Sequence, residues 1–393
     1  MIQGQIQTLK IKDSLDYFNI IYQDLLGYKP EQTSLEQITE SNWKNFAEAR
    51  ELNPKSSGIY LPRNQTAIIQ EGNLLSLFHE YFGHGLYCEQ SILGRKLVNL
   101  ERRLLEEERQ EFQGKKFNLE DVKKFRKENK SFLELREFME KNLGIYEGFA
   151  VWTEYFLSKE LGLRELFERK YESLSKGNKD VIEKITSFNQ QYGNLATFYN
   201  FGLARRTTSE RVKKLLEEIY KDKVKNIKLA LLYGSRKEFS DVDVFIVDEN
   251  LQEIESSWID IRICSKNELE ENINFFDVSA IDPLLTGEFI LGDKEYLNEI
   301  KNKIFNQPIT DKAIKLNLER SKEQRELSLN HQENSFFNRK GLSYSLTYLT
   351  NALALQNGLK LLTKEELILY SEKASVEGER PLQLEGGKER NAT

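Results

Sequence analysis

Apolar positions recur at helical spacing through most of the first half of the chain. DSLDYFNIIYQDLL and SLEQITESNWKNFAEAREL follow this period, so residues 12–50 are expected to be helical. In SSGIYLPRNQTAII, turn residues flank short apolar runs, which predicts a strand or hairpin. The next stretch, LLSLFHEYFGHGLYCEQ over residues 74–90, is apolar on most sides and reads as a buried helix. Residues 97–140 are helical but strongly charged, and their charges read as a solvated face. A new amphipathic helix is expected after Gly144, in IYEGFAVWTEYF, with further helices over 163–175 and 179–190.

The pattern changes near residue 207. TTSERVKKLLEEIYKD begins with capping hydroxyls and predicts a helix. It leads into KLALLYGS, a buried strand ending at a Gly-Ser turn, then to the alternating strands DVDVFIV and SWIDIRIC. TGEFILGDKEYLNEIKNKIF predicts a strand and a helix, and helices follow over 311–330, 334–358 and 364–373. The fold class expected is multidomain α+β. A mostly helical domain covers residues 1–206 and a small mixed-sheet core covers 207–308. A helical domain then spans 309–373, and the tail 374–393 has the composition of a disordered end.

Composition narrows the function classes. The 57 Lys and Arg nearly balance the 63 Asp and Glu, which argues against a general DNA-binding surface. No apolar run of about 18 residues suggests a membrane span. The start, MIQGQIQTLKIKD, lacks a signal-peptide pattern, and Cys88 and Cys264 offer no disulfide framework. A cytoplasmic enzyme is the expectation.

Two of the three histidines, His79 and His84, flank Glu80 in the buried stretch. Burying these groups unpaired costs several kcal/mol, and a Zn²⁺ ion would be the compensating partner. The usual zinc-peptidase helix is H-E-x-x-H, with both imidazoles on one face. Here the spacing is one residue longer, H-E-Y-F-G-H, and five residues of regular helix turn through about 500°. A π-type bulge would bring the imidazoles back together, with Gly83 the residue suited to tolerate it. A catalytic zinc site takes three protein ligands and keeps one position open. Glu147 is the first candidate for the third ligand, with Glu154 and Glu89 as alternatives. Glu80 would then serve as general base.

This arrangement resembles the gluzincin metallopeptidases, and the H-E-x-x-G-H spelling resembles the dipeptidyl-peptidase III family. The resemblance covers the motif helix and the Glu147 segment. It implies a zincin-like domain acting on a peptide substrate, with His79, His84 and Glu147 as zinc ligands and Glu80 as base.

The second constellation lies in KLALLYGSRKEFSDVDVFIV. Asp241 and Asp243, two apart on a strand, project from the same side, and adjacent carboxylates call for a hard cation such as Mg²⁺. Asp260 on the following strand could lay a third carboxylate beside them. The turn at Gly234 and Ser235 would offer backbone N–H groups and a hydroxyl to phosphates. The pattern G-S, spacer, D-x-D, then a later Asp resembles the nucleotidyltransferase superfamily with the polymerase-β-like core, particularly its minimal members, over about residues 210–305. The resemblance implies that Gly234 and Ser235 bind the nucleotide phosphates, with Arg236 beside the triphosphate. It also implies that Asp241 and Asp243 hold Mg²⁺, and that Asp260 completes the site and helps deprotonate a hydroxyl acceptor. The partners implied are an NTP and an acceptor that is a protein, an RNA end or a small molecule.

Overall fold

The computed structural model describes residues 11–53, 56–172, 174, 176–203, 207–234, 241–256, 258–330 and 335–376. The protein is a multidomain α+β chain that forms two compact units. One comprises residues 1–224, 235–243 and 254–260, the other residues 225–234, 244–253 and 261–393.

In the first unit, helix α1 (Ile11–Leu26) buries Phe18, Tyr22 and Leu26 at helical spacing. The expected helix over 12–50 is then interrupted, because residues Ser34–Ile38 form strand β1 ahead of α2 (Glu40–Ala49). Tertiary pairing overrides local preference here. β1 runs parallel to β3 (Thr66–Gln70), with Ser34 opposite Thr66 and Ile38 opposite Gln70. The chain entering β1 is also fixed from outside, since the Glu89 carboxylate accepts the backbone N–H groups of Glu31, Gln32 and Thr33 at 2.9, 3.0 and 2.6 Å. Strand β2 (Gly58–Leu61) and β3 form the expected hairpin, closed by a 3₁₀ turn at Pro62–Asn64. The sheet order is β1-β3-β2, so β2 is an edge.

The buried stretch forms one helical run, α3, made of Leu74–Ser76, a π-helical segment Leu77–Gly85, and Leu86–Gln90. Asn73 caps its start by accepting the Ser76 N–H at 2.9 Å. Beyond α4 (Ile92–Phe112) and α5 (Leu119–Glu128), helix α6 runs unbroken over Lys130–Glu160. No new helix starts after Gly144. A glycine in a helix interior costs only about 1 kcal/mol, and burial of Phe149, Trp152, Phe156 and Leu157 farther along the same helix offsets it. An aromatic core joins α1, α3 and α6: Phe18 meets Phe78 edge-on at 5.2 Å, Tyr22 stacks on Phe82 at 5.4 Å, and Tyr87 meets Phe149 at 5.4 Å. Helices α7 (Arg164–Glu172), α8 (Lys176–Tyr192), α9 (Asn194–Asn200) and α10 (Ser209–Tyr220) follow.

A five-stranded sheet is ordered β6-β7-β5-β4-β8. Its strands are β4 (Leu229–Tyr233), β5 (Val242–Val247), β6 (Ile254–Glu255), β7 (Ile259–Cys264) and β8 (Glu288–Gly292). In the second unit, Leu229, Leu231, Phe245 and Val247 form a core with residues of α11 (Lys266–Asn274), α12 (Val278–Thr286) and α13 (Lys294–Asn306). The predicted helices beyond the sheet are present as α14 (Asp311–Asn330), α15 (Ser335–Gln356) and α16 (Lys364–Val376). Most of the expected tail, residues 377–393, lies outside the described residues. Among the described residues no helix is long and apolar enough to cross a membrane. Cys88 and Cys264 are both free and buried.

Candidate metal centre and acidic sheet face

The π segment solves the spacing problem of H-E-x-x-x-H. With the helix widened, His79 and His84 come onto one side, their ring centroids 4.8 Å apart and their planes perpendicular at 89°. Gly83 permits this for a reason other than backbone freedom. A Cβ there would sit 2.7 Å from Ala150 Cα and 2.9 Å from Ala150 Cβ, so the glycine lets α3 approach α6 closely. One turn before Ala150, α6 carries Glu147 to the histidines. Glu147 Oε2 lies 3.6 Å from His79 Nε2, and its Oε1 lies 3.6 Å from His84 Nε2.

Among the described residues, His79, His84 and Glu147 are the one group of three His, Cys, Asp or Glu whose ligand atoms gather, all within 4.8 Å of one another. Ligand atoms bound about 2.1 Å from a tetrahedral ion lie about 3.4 Å apart. Both histidine–Glu147 pairs, at 3.6 Å, are near that separation, and the widest pair of the set, within 4.8 Å, would draw in by up to about 1.4 Å around a zinc ion. Three protein donors leave one position for water or substrate.

The two alternative glutamates take other roles. Glu154, fully buried on α6, faces the far nitrogen of His79, with Oε2 at 3.2 Å from Nδ1. Lys170 on α7 donates to the same oxygen at 2.7 Å. Glu89 is turned away, occupied with the three backbone N–H groups before β1. His84 is clamped by Tyr146, whose ring stacks on it at 3.9 Å, while its Nδ1 is buried with no hydrogen-bond partner among the described residues. Glu80 is buried beside β2, and Gly58 leaves room for it: a Cβ there would lie 2.7 Å from Glu80 Cγ. Neither Lys170, Tyr146 nor Gly58 carries a spacing signal in the sequence. Only the tertiary arrangement finds them.

The electrostatics are those of a crowded pocket of partly and fully buried acids. Burial alone would lower the pKa of His79, but hydrogen bonding to Glu147 and Glu154 and the charge of Glu80 outweigh it and lift it to about 10. Burial and the neighbouring His79 charge lower His84 to about 3, so its imidazole is neutral. Burial raises Glu80 to about 7, against the pull of His79. Burial opposes ionisation of Glu147 too, yet the two histidines hold its carboxyl below the ordinary value.

The acids of the second constellation are arranged by strand register. Val242 N–H donates to Trp258 O at 2.9 Å and Asp248 N–H to Cys264 O at 3.1 Å. The constant offset makes β5 and β7 parallel and sets Val242 beside Ile259, hence Asp243 beside Asp260. The pleat then puts Asp241, Asp243 and Asp260 on one face, while Val242, Val244, Ile259 and Ile261 are buried on the other. Gly234 ends β4 with φ of 89°, a conformation that favours glycine. Ser235 and Arg236 lie outside the described residues.

No protein-family model matches the chain, and no curated protein matches it. Among solved structures three chains match. One is a nucleotidyltransferase-like protein from Exiguobacterium sibiricum 255-15, which superposes with a TM-score of 0.26 at 15% identity over 45% of this chain and 69% of that one. A superposition at that score is too loose to carry over either fold or activity.

Proposed function

We propose that the first unit is a zinc-dependent peptide hydrolase of gluzincin type, in a cytoplasmic protein. The supporting observation is the convergence of His79, His84 and Glu147 on one point beside a buried glutamate. His79 and His84 would hold the ion through their Nε2 atoms and Glu147 through its carboxylate, since these atoms face one another. Bound zinc supplies a Lewis acid that polarises a carbonyl and acidifies water. Glu80, with its pKa near neutrality, is suited to the proton traffic. It takes a proton from the water whose oxygen attacks the peptide carbonyl carbon, then delivers it to the amine nitrogen as the C–N bond breaks. Glu154 and Tyr146 fix the two imidazole rings, and Gly58 admits the Glu80 side chain. The test is Glu80→Gln assayed on a peptide library. Hydrolysis should disappear while zinc binding persists. If peptide cleavage by the variant equals that of the wild type, the N-terminal unit is at most a zinc-bound recognition module.

A second activity is favoured by the register that aligns Asp241, Asp243 and Asp260. In this reading Asp241 and Asp243 hold Mg²⁺, and Asp260 completes the site and helps deprotonate a hydroxyl acceptor. The resemblance to nucleotidyltransferases would assign Gly234 and Ser235 to the phosphates of an NTP, with Arg236 beside the triphosphate. A nucleoside monophosphate passes to a hydroxyl of a protein, an RNA end or a small molecule, and pyrophosphate leaves. Incubation with labelled NTPs, with Asp243→Asn as control, tests it.

A further inference from the structure

We propose that Lys170 is a positioning residue for the metal site, acting through Glu154; the proposal rests on the zinc reading above. Glu154 is a fully buried carboxylate whose two oxygens are unequally served. Oε2 faces two donors, His79 Nδ1 at 3.2 Å and Lys170 Nζ at 2.7 Å, whereas Oε1 has no partner among the described residues. The orientation of the carboxylate is therefore set at one oxygen. One of the two groups that set it, His79, is the side chain that needs orienting. Lys170 is the independent anchor, contributed by α7 rather than by α3 or α6.

The consequence follows from the two nitrogens of an imidazole. An Nδ1–H held on a fixed acceptor leaves the Nε2 lone pair available and aims it away from that acceptor. In His79 this direction is toward Glu147, 3.6 Å from Nε2. The chain Lys170–Glu154–His79 thus sets the ring angle of the first metal ligand. Charge balance agrees. Glu80, Glu147 and Glu154 bring three carboxylates to the pocket, and a divalent ion plus the Lys170 ammonium would match them.

The test is a double-mutant cycle on full-length protein, read as zinc affinity by competition with a chromogenic chelator. Lys170→Met should weaken zinc roughly tenfold, at the low end of the range for groups that support metal ligands. Lys170→Arg should restore affinity to within about threefold. Lys170→Met and Glu154→Gln together should cost clearly less than the sum of their separate losses, because Lys170 orients His79 through that carboxylate. The visible spectrum of the Co²⁺-substituted protein should change in Lys170→Met and return in Lys170→Arg. Unchanged affinity in Lys170→Met, or losses that add fully in the double variant, would overturn the proposal and leave the zinc reading standing. A wild type that binds no zinc overturns both.

Discussion

Gly83→Ala sets two magnitudes against each other. By helix propensity the change should stabilise the protein by about 1 kcal/mol. The structure points the other way, because the new methyl would stand 2.7 Å from Ala150 Cα and 2.9 Å from Ala150 Cβ. Ordinary carbon contacts are about 3.5–4.0 Å, so α3 and α6 would have to separate locally by something approaching 1 Å. The obstacle is backbone, which cannot swing aside. Overpacking of this kind costs about 1–3 kcal/mol, and against the propensity gain of about 1 kcal/mol the net loss is about 0–2 kcal/mol. The same separation acts on the metal site, because Gly83 adjoins His84 and Ala150 lies one turn from Glu147. The 3.6 Å gap between His84 and Glu147 is already slightly longer than a shared zinc ion requires, so affinity should fall at least tenfold. Urea unfolding of the metal-free protein and chelator competition measure the two effects separately. A variant as stable as wild type, with undiminished zinc affinity, would refute the argument that the glycine serves close helix approach.

Further outcomes follow from the same geometry. Without metal, His79 carries a proton up to about pH 10 and His84 carries none above about pH 3. Zinc must therefore displace the His79 proton, and its apparent affinity should rise about tenfold per pH unit from pH 7 to 9. Calorimetry in buffers of differing ionisation enthalpy should show about one proton released, and a pH-independent affinity would contradict the assignment. In the metal-free protein the raised His79 contributes stability fully below its unfolded value of about 6.5, and that contribution is lost as pH rises through about 10. Glu89→Ala should destabilise the fold by about 2–4 kcal/mol in chemical unfolding, because three backbone N–H groups lose their acceptor, while zinc stoichiometry stays unchanged. Asp243→Asn should abolish label transfer from NTP and leave zinc content as in the wild type; retained transfer would remove the acidic face from the chemistry.

The parts legible in the sequence were those fixed by local arithmetic. Two histidines five positions apart cannot share a face of a regular helix, so the π segment could be read from their spacing. The hairpin around Pro62 was likewise announced by its turn residues, and the alternation of DVDVFIV put its acids on one face. Tertiary competition hid the rest. SLEQI has no strand signature of its own and becomes β1 because β3 and the Glu89 carboxylate claim its backbone. Gly144 looked like a helix boundary, but a single glycine is a small penalty in a 31-residue helix anchored by buried aromatic residues. The sequence put Glu147 first as third ligand but left Glu154 and Glu89 open as alternatives. Only their facing directions separate the carboxylate beside both Nε2 atoms from the one behind His79 and the one capping the chain before β1.

The measurement that bears most directly on the central claim is zinc content by elemental analysis after reconstitution and desalting, for the wild type and for His84→Ala. About one zinc per chain is expected in the wild type and none retained in the variant. A wild type that emerges without zinc, or a variant that keeps it, would contradict the assignment of His79, His84 and Glu147 as a metal site.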